Sequence, residues 1–132
     1  MASATTIRNL ETRRNELLLV SYLDIKTGET LIPGTMFSVD ANGDALAFSA
    51  TLKVGGMVVD IDTIKEKVTG HYNHEVWLLK ADAAKTDWGK LAYAADNQSA
   101  ALTGNALAVL GKITDWKTGK VCVKMNLPVG LV

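Results

Sequence analysis

Apolar and polar residues alternate along several short stretches of this chain. The clearest stretch is 44–54 (DALAFSATLKV), where every second residue from Leu46 to Val54 is apolar or small and falls on one face of an extended backbone. The segment 120–127 alternates in the same way and stops before Pro128, which has no amide hydrogen to donate. Both patterns predict β-strands.

Three other stretches are apolar at consecutive positions. They are 16–22 (ELLLVSY), 75–81 (EVWLLKA) and 106–113 (ALAVLGKI). Continuous apolar runs of this length are typical of strands that are covered on both faces. We therefore expect these three segments to form the centre of the fold.

Glycine and Asn/Asp pairs interrupt these runs about every ten residues, a spacing typical of short strands joined by tight turns. Asn42-Gly43 predicts a β-hairpin with a type I′ turn, and 62–68 (DTIKEKV), with Ile64 and Val68 four residues apart, predicts a turn or two of helix. The sequence thus predicts an all-β fold, either a small antiparallel β-barrel or a β-sandwich, with a jelly-roll arrangement also open.

The first fifteen residues differ from the rest of the chain. They are mostly polar, they carry Arg8, Arg13 and Arg14, and they show no strand period. We expect residues 1–15 to form an extended N-terminal arm and residues 16–132 to form a single β domain. Two interpretations of the arm stay open: a frayed terminus, or a segment that becomes ordered against a partner.

The composition narrows the range of partners. Of the 132 residues, 48% are hydrophobic and 21% are charged, which is globular composition, and fourteen basic side chains balance fourteen acidic ones. A neutral chain has no long-range field to attract nucleic acid or an anionic membrane, so we expect neither partner. Cys122 is the single cysteine, which excludes an intrachain disulfide and predicts a small buried side chain.

No targeting segment is visible at the start of the sequence. The pair Arg13 and Arg14 precedes a run of only four apolar residues, which is too short for a secretory signal or a membrane span. We therefore expect synthesis in the cytoplasm.

The segment GHYNHE brings His71, His74 and Glu75 close in sequence, and all three are potential metal ligands. On one continuous strand His74 points away from the face that His71 and Glu75 share, so the two imidazoles cannot bind one ion. We expect histidines that are exposed to solvent or hydrogen-bonded, and no metal site. DANGD, 40–44, resembles a calcium loop, but its glycine comes one place early and Thr51 occupies the position of the bidentate glutamate.

The remaining motifs indicate no enzyme. The Gly-Lys pair at 111–112 lacks the spacing of a phosphate-binding loop, and no G-x-S-x-G elbow is present. We predict no catalytic residue and no cofactor. Trp116 lies beside Lys117 in the polar turn TDWKTGK, where a large ring either folds back onto the core or serves as an interface anchor.

Residues 76–128 carry a set of motifs that can be compared with a known family. The motifs are Val76, Trp77 and Leu79 in one strand, Gly89, Leu91, Tyr93 and Asp96 in WGKLAYAAD, and the segments TGNALAVLGKI and GKVCVKMNLP. Their order resembles that of a family of small tailed-phage proteins, often described as a domain of unknown function, whose placed members decorate or cement the capsid.

This resemblance implies a compact barrel or sandwich that binds the outside of an assembled shell. The implied partner is the major capsid protein, the implied oligomer is a trimer or dimer, and the implied location is the exterior of a virion made in a bacterial cytoplasm. The residues that we expect at the protein interface are Arg8, Arg13, Arg14, Trp88, Trp116 and Lys117.

Two other functions stay open at this stage. A carbohydrate- or host-surface-binding module would use exposed Trp88, Trp116 and Tyr72 to stack on sugars. A cupin-like small enzyme would require His71 and His74 to converge through an irregular segment.

Overall fold

Eleven β-strands and two single-turn 3₁₀ helices make up the regular structure of the described residues, which in this computed structural model are 3–6, 12–14, 19–72 and 74–125. The strands are β1 (Thr12–Arg14), β2 (Leu19–Asp24), β3 (Met36–Val39), β4 (Ala45–Ala47), β5 (Lys53–Asp62), β6 (Lys67–Tyr72), β7 (His74–Leu79), β8 (Leu91–Ala94), β9 (Ala100–Ala101), β10 (Val109–Lys117) and β11 (Lys120–Met125). The 3₁₀ turns are Lys85–Asp87 and Ala106–Ala108.

The strands form two antiparallel sheets that pack together. The six-stranded sheet has the order β1-β7-β11-β10-β8-β9, and the five-stranded sheet has the order β2-β6-β5-β3-β4. Both sheets curl, and one isolated parallel bridge crosses each of them: Leu79 of β7 with Ser99 beside β9 in the larger sheet, and Ile25 beside β2 with Ala45 of β4 in the smaller one. The predicted all-β class is confirmed, and the arrangement is sandwich-like.

Two separate apolar cores follow from this curvature. The larger core lies between the sheets, where Met36, Val54 and Met57 of the five-stranded sheet meet the apolar face of the six-stranded one. The smaller core lies inside the curled five-stranded sheet and centres on the fully buried Phe37. A Cβ atom at Gly70 would lie 2.5 Å from Cε1 of Phe37, so this glycine lets the ring pack directly on the backbone of β6.

The hairpins marked by glycine are confirmed, with one difference in turn geometry. β10 and β11 pair across a tight turn at 118–119, and β3 pairs with β4 across 40–44. Gly43 has a φ of +82°, but Asn42 does not share the left-handed conformation that a type I′ turn requires, so that turn type is wrong. The carboxylate of Asp40 instead accepts hydrogen bonds from the amides of Asn42 and Asp44, at 2.9 and 3.0 Å, and holds a longer loop.

The predicted single strand over 44–54 is wrong. β4 ends at Ala47, and the chain turns before β5 begins at Lys53. In the turn the Oγ of Ser49 lies 3.0 Å from Oγ1 of Thr51, while the amide of Ser49 donates to Oγ of Ser38 at 2.8 Å. Hydroxyl side chains offer backbone amides partners that compete with a strand ladder, and here one of them, Ser38, belongs to another strand, which explains the break despite continuous alternation.

The predicted helix over 62–68 is also wrong, because β5 ends at Asp62, residues 63–66 form a turn, and β6 begins at Lys67. The carboxylate of Asp62 accepts hydrogen bonds from the amides of Ile64 and Lys65, both at 3.0 Å. Such an Asx-type turn fixes the chain reversal that a hairpin needs.

The position of the three continuous apolar runs is confirmed in part. β7 and β10 lie inside the six-stranded sheet, as expected, but β2 is an edge strand, and Val20 and Tyr22 are 56% and 50% exposed. The central position predicted for 16–22 is therefore wrong for its described part. Within the predicted arm, Thr12–Arg14 forms β1 and pairs with β7, so these three residues are strand. Residue 15, where the arm was expected to end, lies outside the described residues.

Candidate interaction surface

The outward face of the six-stranded sheet carries a mixed row of charged and aromatic side chains. Val76 and Leu78 of β7 point into the larger core, so the alternate residues Glu75 and Trp77 belong to the opposite face, where Glu75 is only 7% exposed. The register places Lys124 opposite Glu75 and Lys112 opposite Lys124. We call this surface, defined by Glu75, Trp77, Lys112, Lys117 and Lys124, the outer face.

Lys117, one of the predicted interface residues, is held on the outer face by an aromatic ring. Its Nζ lies 4.4 Å from the centroid of the Trp77 ring, which is within the range of a cation–π interaction. This contact fixes the direction of the Lys117 side chain and covers part of the indole. Cys122, opposite Trp77 in the register, is fully buried, as predicted.

Trp116, the second predicted interface residue, lies at the end of β10 next to the turn. Its side chain is 40% exposed, and its amide donates to the Asp115 carboxylate at 2.8 Å. The ring is therefore only partly buried by its own chain. It remains available to a partner at the tip of the β10–β11 hairpin.

Trp88 is the most exposed tryptophan of the chain, at 71%, and the loop that carries it is anchored by several contacts. Just before it, Nζ of Lys80 lies 3.0 Å from Oδ2 of Asp87, and the two side chains are 6% and 5% exposed. The same carboxylate oxygen accepts a hydrogen bond from the amide of Ala84 at 3.0 Å. After Trp88, the amide of Gly89 donates to the carbonyl of Ile113 at 2.8 Å. The loop is therefore anchored on both sides of the exposed ring.

The electrostatics of this anchor agree with its geometry. Burial alone would lower the pKa of the Lys80 ammonium, but hydrogen bonds to Asp82 and Asp87 outweigh it and raise that pKa. The hydrogen bond from Lys80 also lowers the pKa of the exposed Asp82 carboxyl. Sequence reasoning missed this ion pair, because Lys80 and Asp87 are seven residues apart and share no recognisable motif.

The predicted arginines are only partly placed by the structure. In the register of β1 and β7, Arg14 lies opposite Glu75. Arg13 and Arg14 therefore lie at the edge of the sheet that carries the outer face. Arg8 lies outside the described residues. Five of the six predicted interface residues thus belong to the six-stranded sheet or to a loop anchored on it: Arg13, Arg14, Trp88, Trp116 and Lys117.

The N-terminal segment makes a second contact that the sequence did not predict. The side-chain amide of Asn97 accepts a hydrogen bond from the amide of Ala4 at 2.7 Å and donates one to the Ala4 carbonyl at 3.1 Å. This paired arrangement mimics the ladder between two strands. It ties the start of the chain to the loop between β8 and β9.

The two histidines do not lie on one strand, so the reasoning that kept them apart is wrong. The chain leaves the five-stranded sheet after Tyr72 and enters the six-stranded sheet at His74. The ring centroids of His71 and His74 lie 6.3 Å apart with the planes at 88°. Within the described segments, no group of three or more His, Cys, Asp or Glu side chains is arranged to hold a metal ion.

His74 also contradicts the expectation of an exposed or hydrogen-bonded histidine. Its side chain is fully buried, and among the described residues neither ring nitrogen finds a hydrogen-bond partner. Burial first, then the nearby His71 and Lys124, lowers the pKa of His74 to about 4, so the ring is neutral at neutral pH. Burial also lowers the pKa of His71.

Comparison with known proteins supplies no family for this chain. No family model matches it, and neither a curated protein nor a solved structure matches it. In the part of the chain that the structure describes, no helix is long and apolar enough to cross a membrane.

Proposed function

We propose that this protein is a structural virion protein that binds the outer surface of a tailed-phage capsid and cements adjacent coat-protein subunits. The observation that carries the proposal is Trp88, which is 71% exposed on a loop anchored by the buried Lys80–Asp87 ion pair. An exposed aromatic side chain on an anchored backbone has less conformational freedom to lose on binding than one on a free loop, which suits an interface anchor. The resemblance of residues 76–128 to capsid decoration proteins supports the same function.

On this proposal the partner is the major capsid protein. Trp88 and Trp116 enter apolar depressions on the coat, while Arg8, Arg13, Arg14 and Lys117 form charge-assisted contacts with coat carboxylates. A protein that binds only the assembled shell stabilises that shell by mass action. Repetition over many equivalent sites adds avidity without any new type of contact.

The test uses expanded heads of the cognate phage that lack their decoration. Purified protein is mixed with the heads, and co-sedimentation and the temperature of shell rupture are measured. We expect saturable binding and a higher rupture temperature. A folded protein that does not sediment with these heads would refute the proposal.

Two variants connect the test to the structure. Trp88→Ala removes the anchor, and we expect it to weaken head binding about tenfold or more. Tyr22→Ala is the matched control, because Tyr22 is a half-exposed aromatic residue on β2 of the other sheet. Equal losses from both variants would remove Trp88 from the proposed interface.

Carbohydrate binding is the second candidate function, and the exposure of Trp88 and Trp116 favours it. Tyr72, the third member of the expected stacking platform, packs against the larger core, so the platform is reduced to the two tryptophans. Glycan-array binding that disappears in Trp88→Ala, together with failure to bind heads, would select this function instead.

A further inference from the structure

A pocket of about 460 Å³ opens at one end of the five-stranded sheet, apart from the outer face and Trp88. It lies between the loop that follows β2 and the turn between β5 and β6. Its apolar lining is formed by Ile25, Leu31, Pro33 and Ile61. This volume lies in the range of sites that take up a small ligand or a partner's side chain.

The turn beside this pocket carries the most exposed large apolar residue of the described chain. Ile64 is 92% exposed, although its neighbours Thr63 and Glu66 line the pocket. The turn is rigid, because the Asp62 carboxylate holds the amides of Ile64 and Lys65, and the Ile25 amide donates to the Glu66 carbonyl at 2.8 Å. An apolar side chain this exposed buries almost none of its surface in the fold of its own chain.

The charges around the pocket complement those of the turn. The ionisable residues that line the pocket are three carboxylates, including Glu29 and Glu66, and a single ammonium, that of Lys26. Beside Ile64, the turn presents Lys65 to solvent. The exposed Ile64, with the cation Lys65 beside it, therefore lies next to an apolar pocket that has an acidic rim. Both features belong to one continuous surface.

We propose that the occupant of this pocket is a second copy of the same chain. In a twofold interface the same surface patch of each copy faces that of the other. A patch that contains both Ile64 and the pocket can therefore bury the Ile64 of each copy in the pocket of the other. Ile64 of each copy enters the pocket of the other, and Lys65 faces the carboxylates of Glu29 and Glu66. The pocket residues belong to the five-stranded sheet and its loops, so this dimer leaves the outer face and Trp88 of both copies uncovered.

The dimer does not depend on the proposed capsid function. If that function holds, a dimer carries two coat-binding surfaces and gains avidity from their linkage. If it fails, the dimer still forms in solution. Self-association and head binding are measured separately, so the failure of either proposal is distinguishable from that of the other.

The first test is sedimentation of the purified protein over a wide range of concentrations. We expect a reversible dimer whose dissociation constant rises about tenfold or more in Ile64→Asp, because a charge replaces a buried anchor. Leu107→Asp is the matched control, because Leu107 is 39% exposed on the 3₁₀ turn Ala106–Ala108, away from the pocket. This variant should dimerise as the unmodified protein does. A wild-type monomer at every concentration, or a dimer as tight in Ile64→Asp as in the wild type, would overturn the proposal.

The second test uses the reciprocity of the interface. Lys65→Glu and Glu29→Lys each place like charges at both contacts of a homodimer, so each variant alone should be predominantly monomeric. A mixture of the two restores opposite charges at both contacts and should give a heterodimer. Glu66→Lys replaces Glu29→Lys if the loss of the hydrogen bond from the Ala47 amide to Glu29, 3.0 Å, disturbs the loop. Monomers in the mixture of two folded variants would also overturn the proposal.

Discussion

At the scale of single residues, the buried His74 makes the stability of the fold depend on pH. The folded pKa of His74 is about 4, whereas the ring in an unfolded chain has its ordinary value near 6.5. Between these values the unfolded state binds a proton that the folded state excludes. The contribution of His74 to the free energy of unfolding is therefore fully present above pH 6.5 and is lost as the pH falls towards 4.

We expect the free energy of unfolding to fall by up to about 3 kcal/mol between pH 7 and pH 4 on account of His74 alone. Urea denaturation of the wild type and His74→Phe at pH 7 and pH 4.5 measures this effect. The variant should lose less stability between the two values, because phenylalanine takes up no proton. His71, whose pKa is also lowered, leaves a residual slope in the variant. If the free energy of unfolding fell equally with pH in both proteins, the acid sensitivity would not come from His74.

Gly70 is required by the ring of Phe37. A Cβ atom at this position would lie 2.5 Å from Cε1 of Phe37 and 2.7 Å from Oγ of Ser21. We expect Gly70→Ala to destabilise the fold by about 2 kcal/mol, the usual cost of overpacking a core. Denaturant unfolding of Gly70→Ala, Phe37→Leu and the double variant tests the cause. Because Phe37→Leu removes the clashing ring atom, the double variant should be more stable than the sum of the single effects; strict additivity would place the strain elsewhere.

At the scale of elements, the sequence predicts strands and hairpins where the pattern is clearest, but it misses β6 and β8 and does not give the strand order of the sheets. Glycine turns and apolar periodicity locate the β3–β4 and β10–β11 hairpins, because both signals are local. Local signals could not show that β2 lies at a sheet edge, where the Lys67 ammonium lies 5.1 Å from the centroid of the exposed Tyr22 ring. The break between β4 and β5 depends on Ser38, which is eleven residues from its partner Ser49. Edges and breaks are set by such contacts between distant residues.

On the candidate surface too, the sequence shows features that depend on local signals and misses those that depend on contacts between distant residues. Tryptophans in polar segments were recognisable as interface candidates, and Trp88 and Trp116 are exposed. The rigidity of the Trp88 loop was not recognisable, because it comes from one ion pair that forms only when the strands are in place. The approach of His71 and His74 was missed because the chain changes sheets between them.

The loop that presents Trp88 offers a prediction at this scale. Lys80→Ala leaves the Asp87 carboxylate buried without its ammonium partner, which should cost about 2 kcal/mol, less than for a pair deep in a core. Released from its anchor, the Trp88 indole should also move more freely. Denaturant unfolding and fluorescence anisotropy measure the two effects.

Asp82→Ala is the control for this prediction. Asp82 contacts the same ammonium at 3.0 Å, but it is 88% exposed, so its removal keeps the buried Lys80–Asp87 pair. Little change is expected in stability or anisotropy. Effects as large as those of Lys80→Ala would show that the exposed contact, and not the buried one, holds the loop.

At the scale of the whole molecule, the N-terminal segment covers an edge of the six-stranded sheet. β1 pairs with β7, which would otherwise present unpaired backbone groups to solvent, and Ala4 is held by Asn97 in the loop before β9. The candidate arm therefore has a structural role in addition to its proposed role in binding heads. Removing it changes both, so a deletion alone does not separate them.

Two nested deletions isolate the contribution of β1. Deletion of residues 1–11 and deletion of residues 1–14 both remove the Ala4–Asn97 contact, but only the longer deletion removes β1. We expect the longer deletion to unfold several degrees lower and to self-associate more, because an uncovered strand edge is a template for further pairing. Calorimetry and sedimentation of the two proteins give the comparison, and identical results would mean that β1 does not protect the edge.

A charge substitution in the full-length chain separates binding from folding. Arg13→Gln together with Arg14→Gln keeps the backbone pairing of β1 with β7 and removes only the two guanidinium groups. If these groups contact coat carboxylates, head binding should weaken and lose part of its dependence on salt, while the unfolding temperature stays near that of the wild type. A lower unfolding temperature with unchanged head binding would instead assign the two arginines to the sheet edge, and Trp88 and Trp116 would then carry the proposed contact without them.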